Sequence, residues 1–337
     1  MQSTGRPRRE PSINDVAREA GVSAQTVSRV ANGKDVVRPA TRERVIAAMQ
    51  TLGYRPNSAA RALKSGRYRT IGVIMFTLSS YGNMRTLEAI ATEAAAAGYA
   101  LTLIPLDAAT QASVSGAFAQ LSEQAVDGIV IVIEAHLLHQ AEIELPSGLP
   151  VVVVDAGAQA RRPVVDTDQA QGARLATEHL LDLGHQTVRH IAGPVESFSA
   201  ERRLQSWRDT LVGWGAPVHQ PLRGDWSADS GYRAGLALAA EPTVTAVFAA
   251  NDQMALGAMR AFHETGRSVP TDISVVGFDD TREAANFWPP LTTIHQHFER
   301  VGVLALTALL QQIDGVDAPS PDLVPTELIV RASTAAR

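Results

Sequence analysis

Ala24, Gln25 and Arg29 fall in a short segment, Ser23 to about Ala31, with a helical pattern, and they lie in its exposed N-terminal half. Glutamine can bond two edge groups of an adenine at once, and arginine two of a guanine, so this face has the chemistry to read DNA bases. Ala24 offers at most an apolar contact to a thymine methyl. Ser23, Thr26, Ser28 and Asn32 supply hydroxyls and an amide suited to phosphate oxygens, contacts that fix register without carrying sequence. Ser28 reads equally as an ordinary helix residue.

Charge points to the same partner. Residues 1–69 hold 14 Lys and Arg against 5 Asp and Glu, and the rest of the chain holds 16 against 30. A basic head on an acidic body suits a polyanion at the head alone. An enzyme is the first rival class, and its signatures are missing: no G-x-G-x-x-G after a strand, no P-loop, no G-x-S-x-G and no H-E-x-x-H. The chain has no cysteine, which removes disulfides, thiolate metal sites and cysteine nucleophiles. His185 and His190 flank one strand and His295 and His297 alternate along another, without metal-ligand spacing. Neither a metal nor a cofactor is expected.

The elements that position the reading face are three short helices. Ser12 with Asp15 suits a capping box, and Ile13, Val16, Ala17 and Ala20 make one apolar face. Gly21 stops that helix. Val22, Val27 and Val30 face inward from the next, which Ser23 caps and Asn32-Gly33 ends. Pro39 opens a third, with Val45, Ile46, Met49 and Leu52 inward, and Gly53 closes it. This is a helix-turn-helix over residues 12–56. Residues 1–11, with Arg6, Arg8 and Arg9, read as a flexible basic arm. Residues 57–69 read as a short capped segment, NSAARAL, and a basic linker, the segment being too short to hold a helix alone.

From Ile71 the chain alternates between strands and helices. Apolar runs at 71–76, 100–104, 128–133, 150–154, 188–191, 245–249 and 273–278 are separated by helical stretches at 84–97, 111–124, 171–183, 200–213, 229–239 and 253–265. Strands apolar on both faces imply parallel sheets covered by helices, here two α/β doubly wound lobes with a cleft at the strand ends. The 337 residues, 45% hydrophobic, are enough for two or three cores. The two-lobe domain is assigned to 70–331, with 332–337 as a tail. The N-terminus lacks an apolar signal region and no run reaches the ~18 residues of a membrane span, so a soluble protein held in the cytoplasm is expected, with no membrane partner.

The stretch INDVAREAGVSAQTVSRVANGKDVVRPATRERVIAAMQTLGYRPNSAARAL resembles the headpiece of the LacI/GalR family of bacterial repressors nearly position for position. ATEHLLDLGH, SAERRLQSW, GDWSADSGY, AANDQMALGAMRA, ISVVGFDDT and WPPLTTIHQ resemble the family's core, so the resemblance covers nearly the whole chain. It implies a sequence-specific transcriptional repressor with a periplasmic-binding-protein-like sensor, bound as a homodimer to a pseudo-palindromic double-stranded operator. It also implies that Ala24, Gln25 and Arg29 read base edges. The segment capped by Asn57 would fold as a hinge helix on the operator, with Leu63 as a minor-groove wedge. A tetrameric member of the family carries a leucine-heptad tail. This chain ends at LIVRASTAAR, so a dimer is expected.

For the cleft, the resemblance matches Asp155, Arg203, Asn251 and Asp279 to positions that bond sugar hydroxyls. Trp226 and Phe298 match apolar walls, and Gln296 a further pocket position. The chemistry agrees: a pyranose offers vicinal hydroxyls to carboxylate, amide and guanidinium groups, and an apolar face to an indole. Phe76, Ser80, Asn83 and Val132 depart from the family pattern on the first-lobe wall. Each residue has a plainer reading: Asp279 and Asp155 as turn caps, Asn251 as a helix cap, Arg203 as a solvated charge and Trp226 as core. The implied effector is a galactoside or another β-glycoside acting as inducer. A corepressor, as in purine-binding members, and a sugar-binding transport protein of the same fold stay as alternatives.

Overall fold

The computed structural model describes residues 11–31, 36–55, 66–78, 80–106, 111–132, 148–154, 164–316 and 323–337. Residues 1–10 of the basic arm, Asn32, the segment with Asn57 and Leu63, and Asp155 lie outside the described residues. The chain divides into two compact units, Met1–Tyr68 and Arg69–Arg337.

In the first unit, α1 (Ile13–Ala20), α2 (Ala24–Ala31) and α3 (Pro39–Leu52) enclose a small core of Val16, Ala17, Ala20, Val27, Val45 and Ala48. Ser12 and Asp15 form the capping box: the Ser12 N–H donates to Asp15 Oδ2 at 2.9 Å, and the Asp15 N–H donates back to Ser12 Oγ at 3.4 Å. Gly21, at φ +63°, turns the chain from α1 to α2, a conformation that favours glycine. One expectation is corrected. Ile46 is 42% exposed, and Ala48 takes the inward place beside Val45. Successive helix residues are rotated by about 100°, so Val45 and Ile46 cannot both face so narrow a core.

The second unit opens with β1 (Thr70–Met75), α4 (Tyr81–Ala96), β2 (Ala100–Pro105), α5 (Gln111–Glu123), β3 (Gly128–Val132), β4 (Val151–Val154) and β5 (Val164–Val165). These strands make a parallel sheet in the order β2-β1-β3-β4-β5. Alternate residues sort to its two faces. Ile71, Val73, Met75, Val130, Val132, Val152 and Val154 share one core with α4, and Ile74, Ile129, Ile131, Val151 and Val153 share another with α5. Burial on both sides is why these strands read as unbroken apolar runs.

The second lobe follows with α6 (Gln169–Asp182), β6 (Arg189–Ala192), α7 (Phe198–Gly213), β7 (Leu222–Arg223), α8 (Ala228–Ala239), β8 (Ala246–Ala249), α9 (Asp252–Glu264) and β9 (Ser274–Val276). Its parallel sheet runs β7-β6-β8-β9. Ile191, Val247, Ala249 and Val275 pack on α8 and α9, and Ala192, Ala246, Phe248 and Val276 on α6 and α7. β10 (Thr293–Gln296) then pairs antiparallel with β11 (Thr326–Ile329), and bridges from Val276 to Thr292 and from Asp279 to His295 continue the sheet.

The chain returns to the first lobe through α10 (Phe298–Ile313), whose Val301, Ala305, Leu306 and Leu309 complete the core shared with α4. The sequence reading held no expectation for this helix. The lobes are therefore joined by three crossings, at 166–168, at 297 and at 324–325. Two of them are stitched together: the Asp168 N–H donates to the Val324 carbonyl and the Val324 N–H to the Asp166 carbonyl, both at 2.8 Å.

Residues 332–337 are not a tail, as expected, but part of the second lobe. The buried Ser333 takes the Thr292 N–H at 2.7 Å and donates to the Val275 carbonyl at 2.6 Å, and the Arg337 N–H donates to the Leu183 carbonyl at 2.8 Å. Their small and polar residues make no apolar run, which hid the strand-like bonding. Among the described residues, no helix is long and apolar enough to cross a membrane.

Candidate functional site

In the first unit, Gln25 and Arg29 stand exposed one helical turn apart on α2, spaced as side chains that share a helix face. Ala24 is half-buried and packs on the core beneath, so its contribution to the outer face is small. Ser23 Oγ accepts the Thr26 N–H at 3.1 Å, which makes it the cap of α2. The same oxygen lies 2.9 Å from Thr26 Oγ1. One of the two hydroxyl hydrogens is used between them, leaving the other for an acceptor such as a phosphate oxygen. Ser28 is half-buried on the same helix.

In the second unit, a cavity of about 300 Å³ is lined from both lobes. Six of the expected effector residues line it: Arg203, Trp226, Asn251, Asp279, Gln296 and Phe298. Phe76 does not. It is half-buried in the cluster of Ile74, Val114 and Phe118, on the α5 side of the first sheet. The strand ends at Met75, and the next side chain falls on the face opposite to the cavity's Val132 and Val154.

Four buried side chains from four segments form a closed circuit. Arg203 Nε, on α7, donates to Gln169 Oε1, at the start of α6, at 2.8 Å. Gln169 Nε2 donates to Gln296 Oε1, at the end of β10, at 3.0 Å. Gln296 Nε2 donates to Asp279 Oδ1, in the loop after β9, at 2.6 Å. Arg203 Nη1 lies 3.8 Å from that same oxygen and also donates to the Ala250 carbonyl. The guanidinium carbon sits 3.8 Å from the Phe278 ring centre and 5.5 Å from that of Trp226. Arg203 is thus a buried, fixed group rather than a solvated charge.

The backbone around the circuit is unusual. Trp226, Asp279 and Asp280 have positive φ values of 72°, 115° and 54°, conformations that cost about 1–3 kcal/mol for non-glycine residues and cluster at binding sites. The Asn251 amide holds one of them: Nδ2 donates to the Trp226 carbonyl at 3.0 Å while Oδ1 takes the Met254 N–H at 2.9 Å, capping α9. Asn251 is both the helix cap and a cavity residue. The Trp226 indole occupies the space where Gly193 has no side chain; a Cβ there would come within 2.4 Å of it.

Burial pushes the Asp279 carboxyl up to about 6, against the opposing pull of Arg203 and the Gln296 N–H. Behind it, burial and then the charge of Asp279 push Asp252 up to about 8. Asp252 is bonded by the Thr293 hydroxyl and the Thr281 N–H at 2.5 and 2.7 Å. Asp166, on the first crossing, is paired with Arg202. Burial likewise pushes His190 down to about 3, stacked between Trp207 and Phe248. Among the described residues no cluster of His, Asp or Glu could hold a metal.

Sequence reasoning passed over several lining residues. Ser199, Asp225, Ser227 and Gln253 lie inside stretches quoted for their resemblance, which was a usable signal. Asp166, Thr167 and Gln169 had none, since their position follows from the lobe crossing. Ser80, Asn83 and Val132, noted as departures, do line the cavity, together with Tyr81 and Thr86.

Residues 12–57 match the family described as bacterial regulatory proteins, lacI family, and residues 177–334 match the periplasmic binding protein-like domain. The chain is 37% identical to the lactose operon repressor of Escherichia coli K12 over 96% of its own length and 91% of that protein's. Its fold matches the crystal structure of the lac repressor dimer bound to operator and the anti-inducer ONPF with a TM-score of 0.88, at 36% identity, covering 97% of this chain and 100% of that one. It also matches a complex of the transcriptional regulator CelR with cellobiose, at a TM-score of 0.72 and 31% identity, covering 96% and 99%. A counterpart of that regulator in Thermobifida fusca is 34% identical over 97% of this chain and 99% of its own. The chain is a DNA-binding transcriptional regulator with a ligand-sensing domain. It belongs to the lacI family of bacterial regulatory proteins.

Proposed function

We propose that this chain is a dimeric operator-binding repressor, released from DNA when an uncharged sugar, a galactoside or another β-glycoside, fills the cavity between the lobes. The observation that carries the reading is the buried circuit of Arg203, Gln169, Gln296 and Asp279. It gathers donor and acceptor groups on one wall beside an indole, the pairing that vicinal hydroxyls and a pyranose C–H face require. The lac repressor dimer bound to operator and the CelR complex with cellobiose, both similar over nearly the whole chain, support it.

The coupling follows from where the circuit sits. Gln169 and Gln296 adjoin the crossings at 166–168 and 297, and Asp166 and Thr167 line the cavity themselves. A ligand bonded to these groups touches the segments about which the lobes turn, so it favours one lobe angle over another. Shifting a two-state equilibrium requires only that differential affinity. On the DNA side, Gln25 and Arg29 read bases and Ser23, Thr26 and Ser28 position α2 on the backbone.

The test is fluorescence anisotropy of a symmetric operator-like duplex with the full chain, titrated with lactose, allolactose, galactose and other disaccharides. A loss of affinity of about tenfold or more with one sugar, about 1.4 kcal/mol, is expected. Tight DNA binding that no glycoside changes overturns the sensor reading. Tighter binding with ligand makes the ligand a corepressor.

A further inference from the structure

We infer that Asp252 is a positioning residue for the effector site, clamping from behind the turn that presents Asp279 to the cavity. The inference rests on the effector-site reading above and deepens it by assigning a residue outside the cavity wall.

Asn251 and Gln253 line the cavity, whereas Asp252 between them does not. It is the first residue of α9 and fully buried. Its main chain holds one end of the turn: the Asp252 N–H donates to the Phe278 carbonyl at 2.9 Å. Its side chain holds the other end: the Thr281 N–H donates to Oδ2 at 2.7 Å. The Thr293 hydroxyl, on β10, donates to Oδ1 at 2.5 Å and fixes the plane of the carboxyl. Gly277 leaves room for this group, since a Cβ there would lie 2.3 Å from Asp252 Oδ1.

Between the two holds lie Asp279 and Asp280, at φ values of 115° and 54°. Such conformations in non-glycine residues persist only where the surroundings impose them. The Asp279 N–H is anchored to the Ile294 carbonyl at 2.8 Å, and the Asp280 carboxylate is held from the far side by Arg331 and His295 at 2.6 and 2.9 Å. The Thr281 end is left to Asp252. What the turn delivers is the wall of the site. Asp279 Oδ1 takes the Gln296 N–H and lies 3.8 Å from Arg203 Nη1, and the Phe278 ring centre lies 3.8 Å from the Arg203 guanidinium carbon. Burial first, then the charge of Asp279, push Asp252 up to about 8, with Asp280 acting in the same direction. At pH 7 it therefore works as a neutral acid and places no second charge behind Asp279.

Isothermal titration calorimetry on the full chain at pH 7 tests this as a double-mutant cycle, with lactose, cellobiose and galactose as probes. Asp252→Ala removes the side-chain hold and leaves the main-chain one. It is expected to weaken the tightest-binding probe about tenfold in the otherwise unchanged chain, the effect of one net hydrogen bond lost at Asp279. In an Asp279→Asn background the loss is expected to shrink to about twofold, because residues that act as one unit are not additive. Asp252→Asn takes the Thr281 N–H on its oxygen and donates its amide to the Thr293 hydroxyl, so it is expected to bind within about twofold of the unchanged chain. Thermal melting checks that each variant is folded. If Asp252→Ala does not fold, Thr293→Val, which removes the hydroxyl bond alone, replaces it, with a loss of about threefold expected and the same shrinkage in the Asp279→Asn background. An unchanged affinity in the folded variant, an equal loss in both backgrounds, which is what a purely structural role gives, or a loss in Asp252→Asn as large as in Asp252→Ala overturns the inference and leaves the sugar reading intact. If no probe binds the unchanged chain, the sugar reading fails and takes this inference with it.

Discussion

Effector binding is expected to be linked to a proton through Asp279. Burial pushes this carboxyl up to about 6. A sugar that donates hydroxyls to it stabilises the charged form and returns its pKa toward the ordinary value near 3.9. The sign follows directly. At pH 7 the carboxyl is ionised in both the free and the bound protein, and proton release costs almost nothing. At pH 5 the free protein holds the proton by about ten to one, and that proton must leave before the carboxylate can accept the hydroxyl, so affinity drops by about tenfold, or about 1.4 kcal/mol. Asp252, pushed up to about 8, stays protonated over this range and adds no second step. Calorimetry at pH 5, 6 and 7, in buffers of different ionisation heat, gives the dissociation constant and the number of protons released. The expected outcome is weaker binding at acid pH with close to one proton released per effector at pH 5. Asp279→Asn should bind more weakly and lose the slope. A constant affinity from pH 5 to 7, uptake of a proton, or a slope that survives in Asp279→Asn refutes the role given to this carboxyl.

On the DNA side, Gln25→Ala and Arg29→Ala should each cost about 1–3 kcal/mol against a matched operator and relax preference at one base pair. Anisotropy on a panel of single-base operator variants checks this, and an equal loss on every sequence contradicts base reading. Gly257→Ala should destabilise the second lobe by about 1–3 kcal/mol or more, because overpacking meets backbone here: its Cβ would lie 1.9 Å from the Ala228 carbonyl oxygen. An unchanged urea midpoint refutes that packing. Asp252→Asn should stabilise the protein at high pH. With its folded pKa about 8 and above the unfolded value, the wild-type carboxyl contributes most below pH 4 and loses that contribution as pH rises through 8. Asparagine can take the Thr281 N–H on its oxygen and donate its amide to the Thr293 hydroxyl, so its advantage in urea midpoint should be present at pH 8.5 and shrink by pH 5; the reverse order counts against the raised pKa.

Most strands were legible because burial on both faces leaves an unbroken apolar run, as at Gly128–Val132. The head was legible through its caps, Ser12 and Gly21. The helix Phe298–Ile313 escaped because its apolar residues are not confined to one stripe: Val303 is exposed, off the face formed by Val301, Ala305 and Leu309, so the 3.6-residue period is blurred. The pairs Val164–Val165 and Leu222–Arg223 are too short to make any pattern. In the cavity, Arg203, Trp226, Asn251, Asp279, Gln296 and Phe298 came from the resemblance to a known family, not from periodicity. Gln169 shows why physical reading alone stops short. A glutamine at a helix start looks solvated until a crossing of the chain sets it against Gln296, far away in sequence. Phe76 shows the converse error, since one step past a strand end changes which face a side chain meets.

Neither lobe is a continuous piece of chain, and this has a bearing on synthesis. As the protein leaves the ribosome, the sheet begun at Thr70 emerges long before the helix that covers one face of it, because Val301, Ala305 and Leu309 follow all four parallel strands of the second lobe. The second sheet waits in turn for Ser333, which closes its edge at Val275. The nascent sensor therefore carries uncovered apolar surface on both lobes, the condition that exposes large proteins to aggregation, and both are sealed by the same late segment. The three-helix head has no such dependence. Its core lies between Val16 and Ala48 and is complete before the first strand of the sensor is made. A growing chain thus owns its means of reading DNA well before it owns the means of being told to let go.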